Sequence, residues 1–380
     1  MTNKMSSPSA TTPPDAAAPV PTRHRDITLV PWGLSEPGGA RRAAGLFDAA
    51  GQYLPAGECH RFDGDPITVA PERDPAAPVQ ELPGRYLFGG LLYGHFGHFL
   101  CESTGRLWGL DQGGFDGVIW YPKLALGHPA KLTKPYHPFF AALGFADLKL
   151  IAPQAPLRIA ELVIPVQGFG IGLLAAGIPE YRAFMRAHLG AAIAPEGGVD
   201  LYISRAALPV KRGGVLLETR IETLMQAEGY EVFHPQNHPI ATQIARYKAA
   251  RRIVALDGSA LHLAGMVVNP ACKVAILNRG PSQNIADYLR QFQHFAGISP
   301  TRIDAVRRYW FPAGRRVVKR ETHALADFPA LGQGLAEAGF IADPGAWQNP
   351  DAGAVAAAVA ERAERCGAPL QEYVLEGQPA

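Results

Sequence analysis

Cysteine is scarce and scattered: the chain holds four, Cys59, Cys101, Cys272 and Cys366, none of them in a C-x-x-C pair. That spacing excludes a zinc site built on paired thiolates and a disulfide framework, and it suits a reducing compartment. Long apolar runs are missing too. The most apolar window, Leu162 to Pro179, is interrupted by Gln167 and four glycines and should not span a bilayer. Excess charge of one sign is absent, since 36 Lys and Arg against 34 Asp and Glu leave a net charge of +2, which gives no case for a nucleic-acid partner. Residues 1–22 have the Ser, Thr, Pro and Ala composition of a disordered lead and lack the apolar centre of a secretory signal.

What is present suits a large core. Hydrophobic residues make up 47% and charged ones 18% of 380 residues, enough for two domains. Short strand-like runs (Ile27 to Val30, Arg85 to Gly89, Val118 to Tyr121, Leu148 to Ile151, Leu157 to Ile164) alternate with helical stretches in an α/β unit over 23–165. The segment from Pro165 to Gly177 reads as a crossover. A second unit, 166–320, repeats strand then helix at the spacing of a parallel, doubly wound sheet. Ligands bind beyond the carboxyl ends of such strands, where Arg205, Asp257 and Asn278 fall. Between its first strand and first helix lies a basic, Gly-rich loop, Lys211-Arg212-Gly213-Gly214, and Thr219-Arg220-Ile221-Glu222 has the form of a capping box. A helical tail, 321–380, completes the chain.

Chemistry concentrates near residue 100. If Phe96, Phe99, Leu100, Leu107 and Leu110 mark one helix, His95, His98, Glu102 and Arg106 form a polar stripe along it. Two imidazoles, a carboxylate and a guanidinium beside a wall of Phe, Leu and Trp have the character of a cleft. The plainer alternative is a Glu102–Arg106 ion pair with the histidines satisfied in the core.

Other signals are thinner. Asp63-Gly64-Asp65 has an Asp-x-Asp form that binds metal in some transferases, but two carboxylates flanking Gly are commonly a turn. Gly168-Phe169-Gly170-Ile171-Gly172 resembles half a dinucleotide fingerprint, with Leu173 where Gly or Ala is needed, which leaves an NAD(P)-dependent oxidoreductase as an outside alternative. Arg302, Arg307, Arg308, Arg315, Arg316, Lys319 and Arg320 face only Asp304 locally, as either a solvated face or a patch for an anionic ligand or membrane surface.

The chain resembles the family 61 glycosyltransferases, a group that includes bacterial capsular polysaccharide biosynthesis proteins and plant and animal sugar transferases. The resemblance is carried by His98-Phe99, Glu102 and Arg106-Leu107. It continues with Leu201-Tyr202-Ile203-Ser204-Arg205, Arg212, the acidic helix start at Glu218 and Glu222, Gly229-Tyr230-Glu231-Val232, Gln243 and the turn at Gly258. Two positions depart from the pattern. Asp257 stands where many members have His, with His262 one helical turn further on as a replacement, and Phe99 stands where Trp is usual.

The resemblance implies a GT-B-like architecture, two Rossmann-like domains facing a cleft. It implies a sugar moved with inversion and without a metal from a nucleoside diphosphate sugar to a surface or capsular glycan, or lipid-linked glycan, acceptor. No further cofactor is expected. The protein would be cytoplasmic, with peripheral contact at the inner membrane face as an option; no residue sets its oligomeric state. Arg205, Lys211, Arg212, Asp257, Gly258, Ser259, His262 and Asn278 are the expected donor-binding residues. Glu102, His98, Arg106 and His95 are the expected catalytic group. Glu102 is placed ahead of His98 as the base that takes the acceptor proton, the swapped assignment stays open, and Arg106 pairs with Glu102 or reaches the donor. The alternative from another class is a non-catalytic saccharide-binding or assembly relative.

Overall fold

The computed structural model describes residues 18–32, 41–62, 64–72, 79–123, 129–281, 284–315 and 321–373. The lead before residue 18, Asp63 of the Asp-x-Asp motif, and Arg316, Lys319 and Arg320 of the basic stretch lie outside them. Two sheet-bearing regions are flanked by helices and followed by a C-terminal helical stretch.

The first sheet orders its strands Gly45–Phe47, Thr22–Val30, Leu157–Ile164, Gln80–Leu92, Gly117–Pro122, Lys149–Ile151. The last four run parallel, and Thr22–Val30 is antiparallel to both of its neighbours. Gly117–Pro122 is buried along its whole length, as a parallel strand covered on both faces must be. Strand Gln80–Leu92 shifts register between Phe88 and Gly90. A Cβ on Gly89 would lie 2.1 Å from Trp120 Nε1, and Gly90 has φ 88°, so only glycines allow this bulge. The bulge bends the strand just before the polar segment at 95–106 departs.

The second sheet is wholly parallel, in the order Glu231–Phe233, Asp200–Ile203, Arg252–Leu256, Lys273–Asn278, Thr301–Asp304. Numbered along the chain this is 2-1-3-4-5, a doubly wound order whose switch point lies between Asp200–Ile203 and Arg252–Leu256. Arg205 leaves one of those strands and Asp257 the other. Helices Glu218–Ala227, Ile240–Ala249, Ala260–Val267 and Ile285–Ala296 form the connections.

A third sheet, Gly214–Val215, His323–Ala326, Val306–Pro312 and Leu370–Tyr373, was not read from the sequence. The tail expected to be helical over 321–380 does hold helices Phe328–Glu337 and Ala352–Cys366, but they are interleaved with two strands that pair with earlier segments. Its pairing also accounts for part of the basic stretch. Arg302 lies 2.6 Å from the local Asp304, while Arg308 is bonded by Glu372 and Arg307 lies 3.7 Å from Asp327, so acids from elsewhere in the chain offset part of the local excess of positive charge.

Alternate strand residues feed different apolar layers. Phe88, Ile119 and Ile159 face an outer cluster of the first sheet, and Tyr202, Val254 and Ala275 face an outer cluster of the second. Between the sheets one continuous cluster runs from Leu87, Val118 and Trp120 through Phe99, Tyr136, Phe169 and Tyr181 to Ile203, Ile253 and Phe292.

Candidate active site

The stretch from 94 to 113 is not one helix. His95 is extended (φ −99°, ψ 126°) and caps a single turn, Phe96–His98, which widens into a π turn, Phe99–Ser103, and resumes as a 3-10 helix, Leu107–Gln112. Local bonding explains the break. The Thr104 hydroxyl donates to the Leu100 carbonyl at 2.6 Å, and Gly105 lies against Phe169, where a Cβ would come within 2.5 Å of the backbone oxygen. A π turn of this kind commonly marks a functional site.

The stripe therefore ends at Glu102. Its carboxylate is 3% exposed and fully engaged: Arg61 Nε donates to Oε1 at 2.5 Å and Arg61 Nη2 to Oε2 at 3.0 Å, the Tyr93 hydroxyl donates to Oε1 at 3.2 Å, and His98 Nδ1 lies 2.6 Å from Oε2. Burial alone would raise the Glu102 pKa, but the His98 hydrogen bond and the Arg61 charge outweigh it and hold the carboxyl below its ordinary value. An ionised carboxylate only accepts, so His98 Nδ1 is the donor and its Nε2 carries the lone pair. The His98 side chain is 26% exposed and stacks on Tyr93 at 5.1 Å. His95 meets it edge-on at 5.3 Å.

Arg106 does something else than expected. Its guanidinium is buried and donates to the carbonyls of Glu58 (2.5 Å), Ala56 (3.3 Å) and Pro165, and it sits 5.2 Å from the Phe88 ring. It pairs with neither Glu102 nor any group at the strand ends, because the break at Gly105 turns it toward the first sheet. Arg106→Met is accordingly expected to destabilise the fold by about 3 kcal/mol, since buried carbonyls lose charged donors. Denaturant titration measures it; a melt equal to the parent's would remove the structural role.

At the switch point the second half assembles. Arg205 backbone N–H donates to Glu218 Oε1 at 2.7 Å, and the Ser204 hydroxyl donates to Glu222 Oε1 at 2.6 Å. Burial, against the opposing Arg205 amide, lifts the Glu218 pKa to about 7. The capping box does not form: helix Glu218–Ala227 starts from Leu217 in a left-handed conformation (φ 60°), and its first carboxylate serves the strand end instead. The Arg205 guanidinium donates to the Arg212 carbonyl at 3.2 Å and lies against Gly258, where a Cβ would stand 2.6 Å from Nη1. Its buried Nε has no hydrogen-bond partner, and burial together with the neighbouring Arg279 lowers its pKa to about 10.

Asp257, 2% exposed, accepts the Arg279 amide at 2.9 Å and stands 3.5 Å from its Nε. Asn278 gives its amide to Asp304 at 2.5 Å, while Lys211 and Arg212 are exposed on a short turn.

The two halves touch. A Cβ on Gly97 would come 2.6 Å from Ser259 Oγ, so the turn bearing His98 abuts the N-terminus of helix Ala260–Val267. His262, on that helix, bonds Gln291 Oε1 through Nδ1 at 2.7 Å. Burial lowers its pKa to about 4, and the charges of His98 and Glu102 reach it, so it lies on the side of the first half's pair.

Arg61, Tyr93 and Arg279 were missed by sequence reasoning. Arg279 follows Asn278 directly at a strand end, where the doubly wound rule would have found it; Arg61 lies in an irregular stretch with no periodicity to mark it. Gly168–Gly172 forms no dinucleotide turn: Gly168 packs on Ile178 and Trp108, and a 3-10 turn, Gly172–Ala176, follows. Among the described residues no group of three His, Cys, Asp or Glu side chains is placed to hold a metal ion.

A parallel doubly wound sheet with arginines and a helix N-terminus at its switch point stands beside a His–carboxylate pair, so groups suited to hold an anion and a titratable pair come together. The family model for glycosyltransferase 61 matches residues 96–275, a span that covers both halves of the site, and over that span the chain is similar to that family of glycosyltransferases. No curated protein matches the chain. No helix among the described residues is long and apolar enough to cross a membrane.

Proposed function

We propose that the chain is an inverting glycosyltransferase that moves a sugar from a nucleoside diphosphate sugar to a glycan acceptor of a surface or capsular polysaccharide, without a metal ion. The observation that supports this reading is the contact of Gly97 with Ser259, which brings the turn bearing His98 against the helix start beside Arg205 although they are far apart in sequence. The two sheets correspond on this reading to the Rossmann-like halves of a GT-B-like enzyme, with 23–165 on the acceptor side and 166–320 on the donor side.

His98 Nε2 is the base. An acceptor hydroxyl oxygen attacks the anomeric carbon from the face opposite the diphosphate, its proton passes to Nε2, and the bond from anomeric carbon to phosphate oxygen breaks with its electron pair leaving on the nucleoside diphosphate. Configuration inverts. Glu102 orients the ring through Nδ1–H and stabilises the imidazolium that forms, while Arg61 and Tyr93 fix Glu102; its oxygens are too heavily engaged for it to take a proton itself. Arg205, Arg279 and the start of helix Ala260–Val267 receive the charge that develops on the leaving group. The arginines supply the positive charge for which other transferases use a metal. His262 and His95 line the sugar-facing side between the two halves.

The test is a melting-temperature screen of the purified protein against nucleoside diphosphates, their sugars, NAD and NADP, followed by donor turnover with and without chelator. Stabilisation by one nucleoside diphosphate and chelator-resistant turnover are expected. Stabilisation only by the dinucleotides would move the reading to an oxidoreductase. Binding without turnover on any acceptor would favour a saccharide-binding relative, and activity lost to chelator and restored by manganese would return Asp63 and Asp65 to the site.

A further inference from the structure

Helix Ala352–Cys366 lies outside the span matched by the family model, yet it returns to the switch point. It packs on the turn Val210–Arg212, the turn whose Arg212 carbonyl holds the Arg205 guanidinium. At its end Cys366 Sγ stands 3.6 Å from Nε2 of His323, and His323 pairs with Gly214, two residues beyond that turn. Arg362 is one helical turn before Cys366 and so shares its face. This guanidinium is partly buried and makes no hydrogen bond or salt bridge with another described residue. Arg365 differs, being exposed and paired with Glu361 at 3.3 Å.

The charges gathered here do not balance. The buried His323 imidazole is kept neutral first by burial and then by Arg362, Arg279 and Arg365, which together depress its pKa to about 4. Arg362 itself feels Glu361 and Glu218 as its opposing charges. Glu361 is held by Arg365, Asp257 is taken by Arg279, and Glu218 accepts the Arg205 amide, so neither the Arg205 nor the Arg362 guanidinium has a salt bridge to a carboxylate among the described residues. Burying guanidiniums short of carboxylate is costly unless an anion completes the site.

We infer that Arg362 is a phosphate-binding residue of the donor site, brought by the C-terminal helix to the diphosphate from the side opposite helix Ala260–Val267. The inference rests on the donor-site reading above and adds to it a cation from the C-terminal helix. The helix thereby closes the site with a side chain and not merely with bulk.

Isothermal titration with inorganic pyrophosphate, and with UDP, GDP, CDP and dTDP, separates the two. Arg362→Ala should weaken pyrophosphate and the cognate nucleoside diphosphate by about tenfold, the loss of one charge-assisted hydrogen bond. Arg362→Lys should recover part of it, and affinity for the unphosphorylated nucleoside should not move. Arg362→Gln, which keeps most of the packing stem, should show the same loss and serves if the alanine protein fails to fold. Wild-type affinity in folded Arg362→Ala or Arg362→Gln, with binding lost in Arg205→Ala, would overturn this inference and leave the donor site standing. Unchanged binding in both Arg205→Ala and Arg362→Ala would overturn the donor-site reading and this inference with it.

Discussion

Turnover by the His98→Ala protein is expected to fall by a factor of about 10²–10⁴, the usual worth of a positioned general base, while nucleoside diphosphate affinity stays within about twofold. The separation follows from the geometry: His98 sits on the first half, and the phosphate ligands sit at the strand ends of the second. Glu102→Gln should lower turnover less steeply, because an amide still reaches the His98 ring but no longer offers a charged acceptor to orient it. Added imidazole restoring His98→Ala would strengthen the assignment. Near-wild-type turnover in His98→Ala, with activity abolished in Glu102→Gln, would return the base to Glu102.

Arg205→Ala is the second large effect. A charge-assisted contact to a phosphate is worth about 2 kcal/mol, so the nucleoside diphosphate should bind some thirtyfold more weakly, by about that free energy. Arg205 is the cleaner of the two arginines to remove. Arg279→Ala would strand Asp257, which is 2% exposed, and such a buried unpaired charge costs about 3–5 kcal/mol of stability. Titration of Arg205→Ala with the cognate nucleoside diphosphate reads the effect directly, and unaltered affinity would place the phosphates away from the switch point.

Four strands of the second sheet were legible because each is short, apolar and followed by a helix of clear period, whereas the fifth, Thr301–Asp304, is largely polar, runs on to another strand and was not read. Strand Lys273–Asn278 and helix Ile240–Ala249 fall within a residue or so of where the pattern puts them. The third sheet was not legible, since Gly214–Val215 acquires strand character only by pairing with the distant His323–Ala326, which in turn pairs with Val306–Pro312. The polar stripe illustrates a subtler failure. Helical periodicity set Arg106 in line with Glu102, but the backbone breaks at Gly105 because that residue must lie against Phe169, a contact no local pattern reveals. The resemblance likewise named Gln243 without giving its role, and its amide is spent on the carbonyls of Pro235 and His238. A motif preserves both chemistry and scaffolding, and only the three-dimensional partners tell them apart.

The apolar layer between the sheets carries a consequence for how substrates come and go. Because Phe99, Phe169, Tyr181 and Phe292 belong to one unbroken cluster, the halves cannot swing apart as rigid jaws without wetting that greasy seam. Entry and exit must instead be managed at the rim, by small excursions of surface segments such as the Val210–Arg212 turn and the helix resting on it. The same seam ties the halves into a single cooperative body, and a gene cut between them would yield two fragments, each with a sticky face and neither able to fold alone.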